Sequence, residues 1–468
     1  MKKSTSIKVF AIAILHFTFS ILHFSAHGAA IEQVIVRQQW PWSTDVKVEY
    51  KISGVTAPVN IGVRAFNGNE ELPASNLEAS ISGERYGISK DGVGSFVIDP
   101  VKAFGTASVA LANFKVRLSI SDAPANINEV IYKVFDLSTG EHQDLSRADF
   151  YNGKVEDGDF VTDYTAVDSG FSTSLDNVFI WTGVTNNVKY RTTHLVLRKI
   201  PSANVTWTMG APASEVDNRF RDAETNHLVR FTSDYFIGVF EVTQKQYFLV
   251  RGSNTAKHSS IQERMTREDA DVLPESYMNG GEAAAFASGL ATKTGLSFSL
   301  PTDAQWEFAC RAGTATGLYV GREVASGAYW SGSDSNLNKI SWYGGADGGN
   351  SKINGTPTVR AVGRKCPNAF GLYDMLGNVY EYCKDWYSAG NRYIESFGAG
   401  WNPETVVVNP TGPATKATVG SVSDPMVTRG GSYNKTGIYI RSAHRSYATQ
   451  WYTANAEIGM RVALTVAE

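Results

Sequence analysis

Cysteine is scarce in this chain, whose 468 residues include only Cys310, Cys366 and Cys383. So low a count excludes a disulfide-rich scaffold and allows at most one cross-link in an oxidising compartment. Cys366 and Cys383 bracket most of one loop, so a disulfide between them would staple that loop. Cys310 falls on the inner face of a predicted helix, where we expect a small buried thiol rather than a nucleophile.

An excess of either charge is also lacking. The 43 basic and 46 acidic residues give a net charge of −3 with neutral histidines. This balance predicts neither a nucleic-acid partner, which would require a basic surface, nor a polyanionic tail. The length of the chain predicts two or three domains rather than a single core.

Long apolar runs are absent after residue 30, so the sequence predicts no membrane span in the mature protein. One shorter apolar run, residues 9–24, follows Lys2 and Lys3 and precedes small residues at 25–30. This pattern is typical of a secretory signal peptide, which we place at residues 1–29. We therefore expect an exported protein, either periplasmic or extracellular.

Helical periodicity is missing from residues 30–190, which we predict to be a β-sandwich-like domain with an extended linker. Apolar residues alternate with charged ones at Val46, Val48 and Tyr50, as in a half-buried strand. Other β-rich runs occupy residues 59–65, 95–98 and 115–120, and pairs such as Asn67-Gly68 mark turns. Two interpretations remain open for this domain: a binding or cell-surface module, or a plain accessory sandwich.

Helices reappear after residue 195. We predict them at 244–250, 281–294 and 303–311, with Thr243 and Thr302 as N-caps and Gly295 as a C-terminal stop. Thr302 and Gln305 have the spacing of a capping box.

The central loop reads PNAFGLYDMLGNVYEYCKDW and covers residues 367–386. It has neither a helical nor a strand period, so we predict an irregular loop fixed by its own contacts. Asp374 and Glu381 are free to point at one spot inside it. Carboxylate and carbonyl oxygens are the ligands that calcium prefers. A structural loop without a metal is the alternative.

Four arginines follow in the C-terminal part, and they could face the acids of the central loop. They are Arg429, Arg441, Arg445 and Arg461. Ion pairing that stabilises a loop-rich fold is the favoured interpretation. A substrate groove is the other, with candidates Arg429, Ser432, Tyr433, Arg441 and Arg445. His444 has no serine–acid companions, so we expect a structural histidine.

Six ordered segments resemble the formylglycine-generating enzyme family, the sulfatase-modifying-factor domain. They read FIGVFEVTQKQY, LPTDAQWEFACRAGT, PNAFGLYDMLGNVYEYCKDW, TRGGSY, RSAHR and IGMRVA. The resemblance implies an irregular α+β domain over residues 195–466, related to the C-type-lectin-like fold. It also implies a calcium site formed by the side chains of Asp374 and Glu381 and the carbonyl groups of Gly377 and Val379.

The redox chemistry of the family is not implied in the same way. Family members oxidise a substrate cysteine to formylglycine with copper held by two cysteines, whose positions here are Lys435 and Ile440. Neither residue offers the soft thiolate that cuprous copper prefers. We therefore expect a calcium-containing binding or scaffolding module without copper, for a peptide, glycan or exported protein partner. The alternative is an active sulfatase-modifying enzyme that uses other ligands.

Overall fold

The computed structural model describes residues 28–38, 43–105, 111, 113–162, 164, 178–211, 215, 223–254, 268–344, 349–353, 355–388, 402, 404–414, 416, 418–419, 422–449 and 455–465. Nearly all of the predicted signal peptide, residues 1–27, lies outside these ranges. None of the described helices has the length and apolar character needed to cross a membrane. The chain forms two units, residues 1–130 with 145–158, and residues 131–144 with 159–468.

The first unit is rich in antiparallel β-strands, as the period-two patterns predict. Its strands are β1 (Ala30–Gln38), β2 (Val46–Ser53), β3 (Val59–Asn67), β4 (Glu70–Glu71), β5 (Ile81–Gly83), β6 (Gly92–Ile98) and β7 (Phe114–Asp122). Its helices are α1 (Ala74–Ser80), α2 (Pro100–Phe104) and α3 (Arg147–Tyr151). The strands form two sheets, with orders β1-β2-β6-β5 and β4-β3-β7.

Strand β2 shows why this unit folds as it does. Val46, Val48, Tyr50 and Ile52 alternate with more exposed residues and are each at most 2% exposed. Because successive side chains of a strand point to opposite faces, this alternation gives the sheet one apolar face. The buried residues of both sheets belong to one apolar cluster.

The second unit carries the remaining elements. Its strands are β8 (Val130–Asp136), β9 (His142–Ser146), β10 (Phe160–Val161), β11 (Ile180–Trp181), β12 (His194–Ile200), β13 (Thr206–Met209), β14 (His227–Arg230), β15 (Tyr235–Gly238), β16 (Phe298–Ser299), β17 (Lys352–Ile353), β18 (Thr356–Pro357), β19 (Tyr380–Trp386), β20 (Val407–Val408), β21 (Thr418–Val419), β22 (Val422–Ser423), β23 (Pro425–Arg429), β24 (Ser446–Thr449), β25 (Ile458–Gly459) and β26 (Ala463–Thr465). Its α-helices are α4 (Gln244–Arg251), α5 (Gly280–Thr294), α6 (Asp303–Arg311) and α7 (Ser335–Ile340). Short 3₁₀ helices cover Thr182–Thr185, Val188–Arg191, Ala270–Val272, Ser326–Ala328 and Gly437–Tyr439.

The predicted domain boundary near residue 190 is wrong. Strand β8 pairs in antiparallel fashion with β12, inside a sheet of order β16-β26-β15-β12-β8-β9. Most residues of β8 and β12 are buried on both faces of this sheet. A strand whose two faces are both buried belongs in a sheet that is covered on both sides. Strand β8 therefore joins the sheet of the second unit, although it lies in the β-rich half of the sequence.

The predicted helix signals are confirmed. Thr243, Asn279 and Thr302 each form a capping box at the start of a helix, and Gly295 ends α5 in the left-handed conformation. Helix α6 is buried along almost its whole length, including its charged residues Asp303 and Glu307. Buried charge requires partners, and those of α6 are the C-terminal Arg429 and Arg445 and, within the helix, Arg311.

Candidate functional site

The central loop is irregular only as far as residue 379. Four of its residues have positive φ angles: Gly371, Asp374, Gly377 and Asn378. A Cβ atom at position 377 would lie 2.1 Å from the Ser341 hydroxyl oxygen, so only glycine fits there. The prediction of a loop through residue 386 is wrong, because residues 380–386 form β19 and pair with β23 and β25.

Glu381 is the first of the two predicted acidic ligands, and it lies fully buried on β19. Arg461 donates from Nη2 to its Oε1 at 2.9 Å, and Trp306 donates from Nε1 to its Oε2 at 2.6 Å. Both partners are themselves fully buried. Each oxygen of Glu381 therefore already accepts a hydrogen bond, in an arrangement typical of a structural ion pair.

Asp374 has a different environment. Its Oδ2 accepts a hydrogen bond from the Gly363 amide at 2.6 Å, while its buried Oδ1 accepts none. Burial raises the pKa of Asp374 to about 6. Nearby, Glu241 accepts from the Asn378 side chain at 2.6 Å and from the Val379 amide at 3.1 Å. Burial, with Asp374 and Glu381 adding like charge, raises the pKa of Glu241 well above its usual range.

The donor set therefore fits calcium in part. Three buried carboxyl groups, of Glu241, Asp374 and Glu381, interact here with Arg461, and the excess negative charge needs a cation or protons. The bare Oδ1 of Asp374 suits a cation, whereas Glu381 is already paired. Within the described ranges, no three His, Cys, Asp or Glu side chains are grouped closely enough to hold a metal. The four-residue calcium site at Asp374, Gly377, Val379 and Glu381 stays a prediction.

The residues predicted to line a groove lie inside the protein. Their exposed fractions are 0% for Arg429 and Ser432, 6% for Tyr433, 2% for Arg441 and 4% for Arg445. The groove hypothesis is therefore wrong for this set, because side chains so buried present no surface to a ligand. The ion-pairing interpretation is confirmed.

Of the four C-terminal arginines, Arg461 is the one paired with an acid of the central loop. Arg429 donates to Asp303 at 2.5 Å and to Glu307 at 2.8 Å, both on α6. Arg445 donates to the other oxygen of Asp303 at 2.7 Å. The sequence could not identify these partners because the pairs are more than 120 residues apart.

A second buried network surrounds Arg441. It pairs with Glu215 and with both oxygens of Glu224, the latter at 2.9 and 3.0 Å. His444 Nδ1 lies 3.2 Å from Glu224, and burial lowers the pKa of this imidazole. These contacts confirm the prediction of a structural histidine. Burial raises the pKa of Glu215 to about 7, although Arg441 opposes the change.

Lys435 and Ile440, which occupy the positions of the family's redox cysteines, differ in their exposure to solvent. Ile440 is fully buried among apolar side chains. Lys435 keeps about a third of its side chain exposed, and its ammonium lies 3.2 Å from Glu457. Ser432 and Asn434 also donate to the Glu457 carboxylate, at 2.7 and 2.9 Å. Sequence reasoning missed Glu457, whose one signal is its place directly before the IGMRVA segment.

All three cysteines are free thiols, so the predicted disulfide between Cys366 and Cys383 is absent. Cys310 and Cys383 are fully buried. Burial raises the pKa of Cys310 to about 12 and that of Cys383 well above its usual range. Thiols in such surroundings stay protonated and make poor metal ligands.

These features define a loop-rich α+β domain held together by buried carboxylate–guanidinium networks. Residues 199–466 match the family model of the sulfatase-modifying factor enzyme 1-like domain. The chain belongs to this family.

Several relatives are known by name. The formylglycine-generating enzyme of Streptomyces coelicolor is 27% identical over 272 residues, which are 58% of this chain and 74% of the relative. The chaperone protein LppX of Paenibacillus barcinonensis is 29% identical over 206 residues, 36% of this chain and 70% of the relative. Among solved structures, Treponema denticola variable protein 1 and PvdO from Pseudomonas aeruginosa are 23% and 24% identical. Each has a TM-score of 0.42 and covers 58% of this chain, and 95% and 94% of those chains are matched.

Proposed function

We propose that the second unit is a binding or scaffolding domain of an exported protein, without the copper chemistry of its enzymatic relatives. The observation that carries this proposal is the pair of residues at the redox positions. Isoleucine has no donor atom, and the Lys435 ammonium is held by Glu457 at 3.2 Å. Cuprous copper requires soft ligands, and this place offers an alkyl group and a cation.

The remaining thiols do not restore such a site. Cys310 lies on α6 and Cys383 on β19, and both are fully buried with raised pKa values. Cys366 is half-buried, and burial raises its pKa as well. The chain therefore has the domain of the family, stabilised by buried ion pairs, while the reactive pair is replaced.

A peptide or protein is the partner that we favour over a glycan for this domain. One relative, matched over 70% of its length, is named a chaperone rather than an oxidase. Near the replaced redox positions, Asn434 is exposed and Lys435 half-buried. Their amide and ammonium groups, beside the Glu457 carboxylate, can bind the polar backbone and charged side chains of a peptide.

Calcium would have a structural role in this proposal. Bound beside Asp374 Oδ1, it would neutralise part of the buried negative charge of the Glu241–Asp374–Glu381 cluster. Proton uptake by Glu241 and Asp374 would serve at lower pH, because the pKa values of these two groups are raised by burial.

The alternative function, conversion of a sulfatase cysteine to formylglycine, is supported by the similarity to enzymes of that name. It requires ligands other than those at Lys435 and Ile440.

A copper titration separates the two functions. We expect the purified chain to take no cuprous ion from a competing chelator, because both family thiol positions are replaced and none of the described thiols belongs to a group of three or more potential metal ligands. The double variant Lys435→Cys/Ile440→Cys is the matched control, since it returns both family ligands. Stoichiometric copper uptake by the unchanged chain, lost in a Cys366→Ser variant, would contradict the proposal.

A further inference from the structure

Strands β3 and β7 of the first unit pair over nine residues and present a long outward face. Inward residues of β3, such as Ile61 and Ala65, are buried in the apolar cluster of this unit. The residues between them point the other way. On the outward face Arg64 lies directly opposite Arg117, and Phe66 lies opposite Lys115. We call the surface formed by Arg64, Phe66, Lys115 and Arg117 the basic face.

The positive charges of the basic face are balanced only in part by neighbouring carboxylates. Glu71 accepts two hydrogen bonds from Arg64, both at 2.5 Å. Lys115 and Arg117 are exposed and form no ion pair with another described residue, although Glu71 also interacts electrostatically with Arg117. Like charges directly opposite one another weaken a pair of strands. The opposed Arg64 and Arg117 would therefore attract an anionic ligand.

An aromatic ring lies between the two guanidinium groups. The Arg64 and Arg117 guanidinium carbons are 5.4 and 5.2 Å from the centroid of the Phe66 ring. Beyond them the face continues with small polar pairs, Gly62 opposite Ser119 and Asn60 opposite Ser121. The result is a strip with cations and a half-buried aromatic ring at one end and hydroxyl and amide groups at the other.

We propose that the basic face binds an acidic polysaccharide, one whose sugars carry carboxylate groups. The guanidinium of Arg117 matches a carboxylate in a two-point hydrogen bond. The half-buried Phe66 ring adds an apolar contact for the C–H groups of a sugar. The hydroxyl groups of Ser119 and Ser121 can exchange hydrogen bonds with those of the next sugar unit.

The size of the charge favours this ligand over other polyanions. Lipid surfaces are recognised by clusters of about four to eight basic residues, and duplex nucleic acid by about six to ten phosphate contacts. The basic face has three cations, one of them already paired with Glu71. A sparse charge with an aromatic ring and hydroxyl groups suits a polymer of lower charge density.

Affinity electrophoresis of the full chain tests this proposal. Native gels contain polygalacturonate, or neutral dextran as the uncharged probe. We expect polygalacturonate to retard the unchanged chain and dextran to leave its mobility unaltered. The variant Lys115→Ser/Arg117→Ser should lose at least tenfold in apparent affinity. The control Lys90→Ser/Lys102→Ser removes the same charge from exposed lysines of the same unit that lie outside the basic face, and should keep the affinity.

A third variant separates a built surface from simple charge attraction. Phe66→Ser leaves every cation in place and should weaken retardation severalfold in 150 mM salt. The proposal is overturned if polygalacturonate does not retard the unchanged chain, or if both double variants lose affinity equally. It is also overturned if the chain binds phosphatidylserine vesicles or duplex DNA while ignoring polygalacturonate.

Discussion

Replacing Arg429 with glutamine should lower the free energy of unfolding by about 3–5 kcal/mol, because one buried oxygen of Asp303 and one of Glu307 each lose a charged partner. Arg429 is fully buried and bridges Asp303 and Glu307, which are themselves buried on α6. It also donates to the Ser442 carbonyl at 3.0 Å. Removal of the guanidinium would place two carboxylates side by side in a medium that screens them poorly.

Urea denaturation of the full chain measures this effect, with Arg37→Gln as the control. Arg37 pairs with Glu49 at 2.5 Å, but 45% of its side chain is exposed. Exposed ion pairs contribute at most about 1 kcal/mol, so the control should unfold close to the unchanged chain. Equal small losses in both variants would show that Arg429 does not organise the core.

Replacing Asp374 with asparagine should remove most of the stabilisation that calcium gives. At 100 times its dissociation constant, an ion that binds only the folded state adds about 2.7 kcal/mol. The Asp374 Oδ1 atom is buried without a donor, which makes it the best available ligand for such an ion. Thermal unfolding in calcium and in chelator measures the difference for each variant.

The same residue predicts a pH dependence in chelator. The pKa of Asp374 is raised by burial to about 6 from an ordinary value of 3.8, so the folded state keeps a proton that the unfolded chain has released. The contribution of Asp374 to the free energy of unfolding should therefore be greatest below about pH 4. It should fall by up to ~3 kcal/mol as the pH rises towards 6. Asparagine should flatten this part of the profile.

Asp385→Asn is the matched control for both measurements. Asp385 is also buried, and burial raises its pKa to about 7, but it accepts a hydrogen bond from the Asp303 amide and lies outside the predicted calcium set. Its variant should change the pH profile and leave the response to calcium intact. If Asp374→Asn keeps the full response to calcium, the predicted site is wrong.

The sequence predicts best what depends on neighbours along the chain. The capping boxes at Thr243 and Thr302 are local hydrogen-bond patterns three residues long, and both are confirmed. Alternation in β2 predicts its buried face for the same reason. The family is recognisable because its motifs are short and ordered.

What the sequence does not predict are pairings across long distances. From the sequence, Arg429 and Arg445 could face the acids of the central loop, yet both pair with Asp303 on α6. Any of several buried acids could have satisfied a guanidinium equally well. The sequence also assigns β8 to the wrong unit. Its apolar residues indicate that the strand is buried, but they do not identify β12 as its neighbour in the sheet.

The most direct test of the account is a turnover assay on the mature chain. The protein is mixed with a cysteine-containing sulfatase-motif peptide, copper and oxygen, and mass spectrometry detects the aldehyde. The Streptomyces coelicolor relative serves as the positive control. We expect no aldehyde above a copper-only blank from a chain whose folding is verified by its unfolding transition. Conversion above that blank would contradict a binding role and show that oxidation proceeds without thiols at positions 435 and 440.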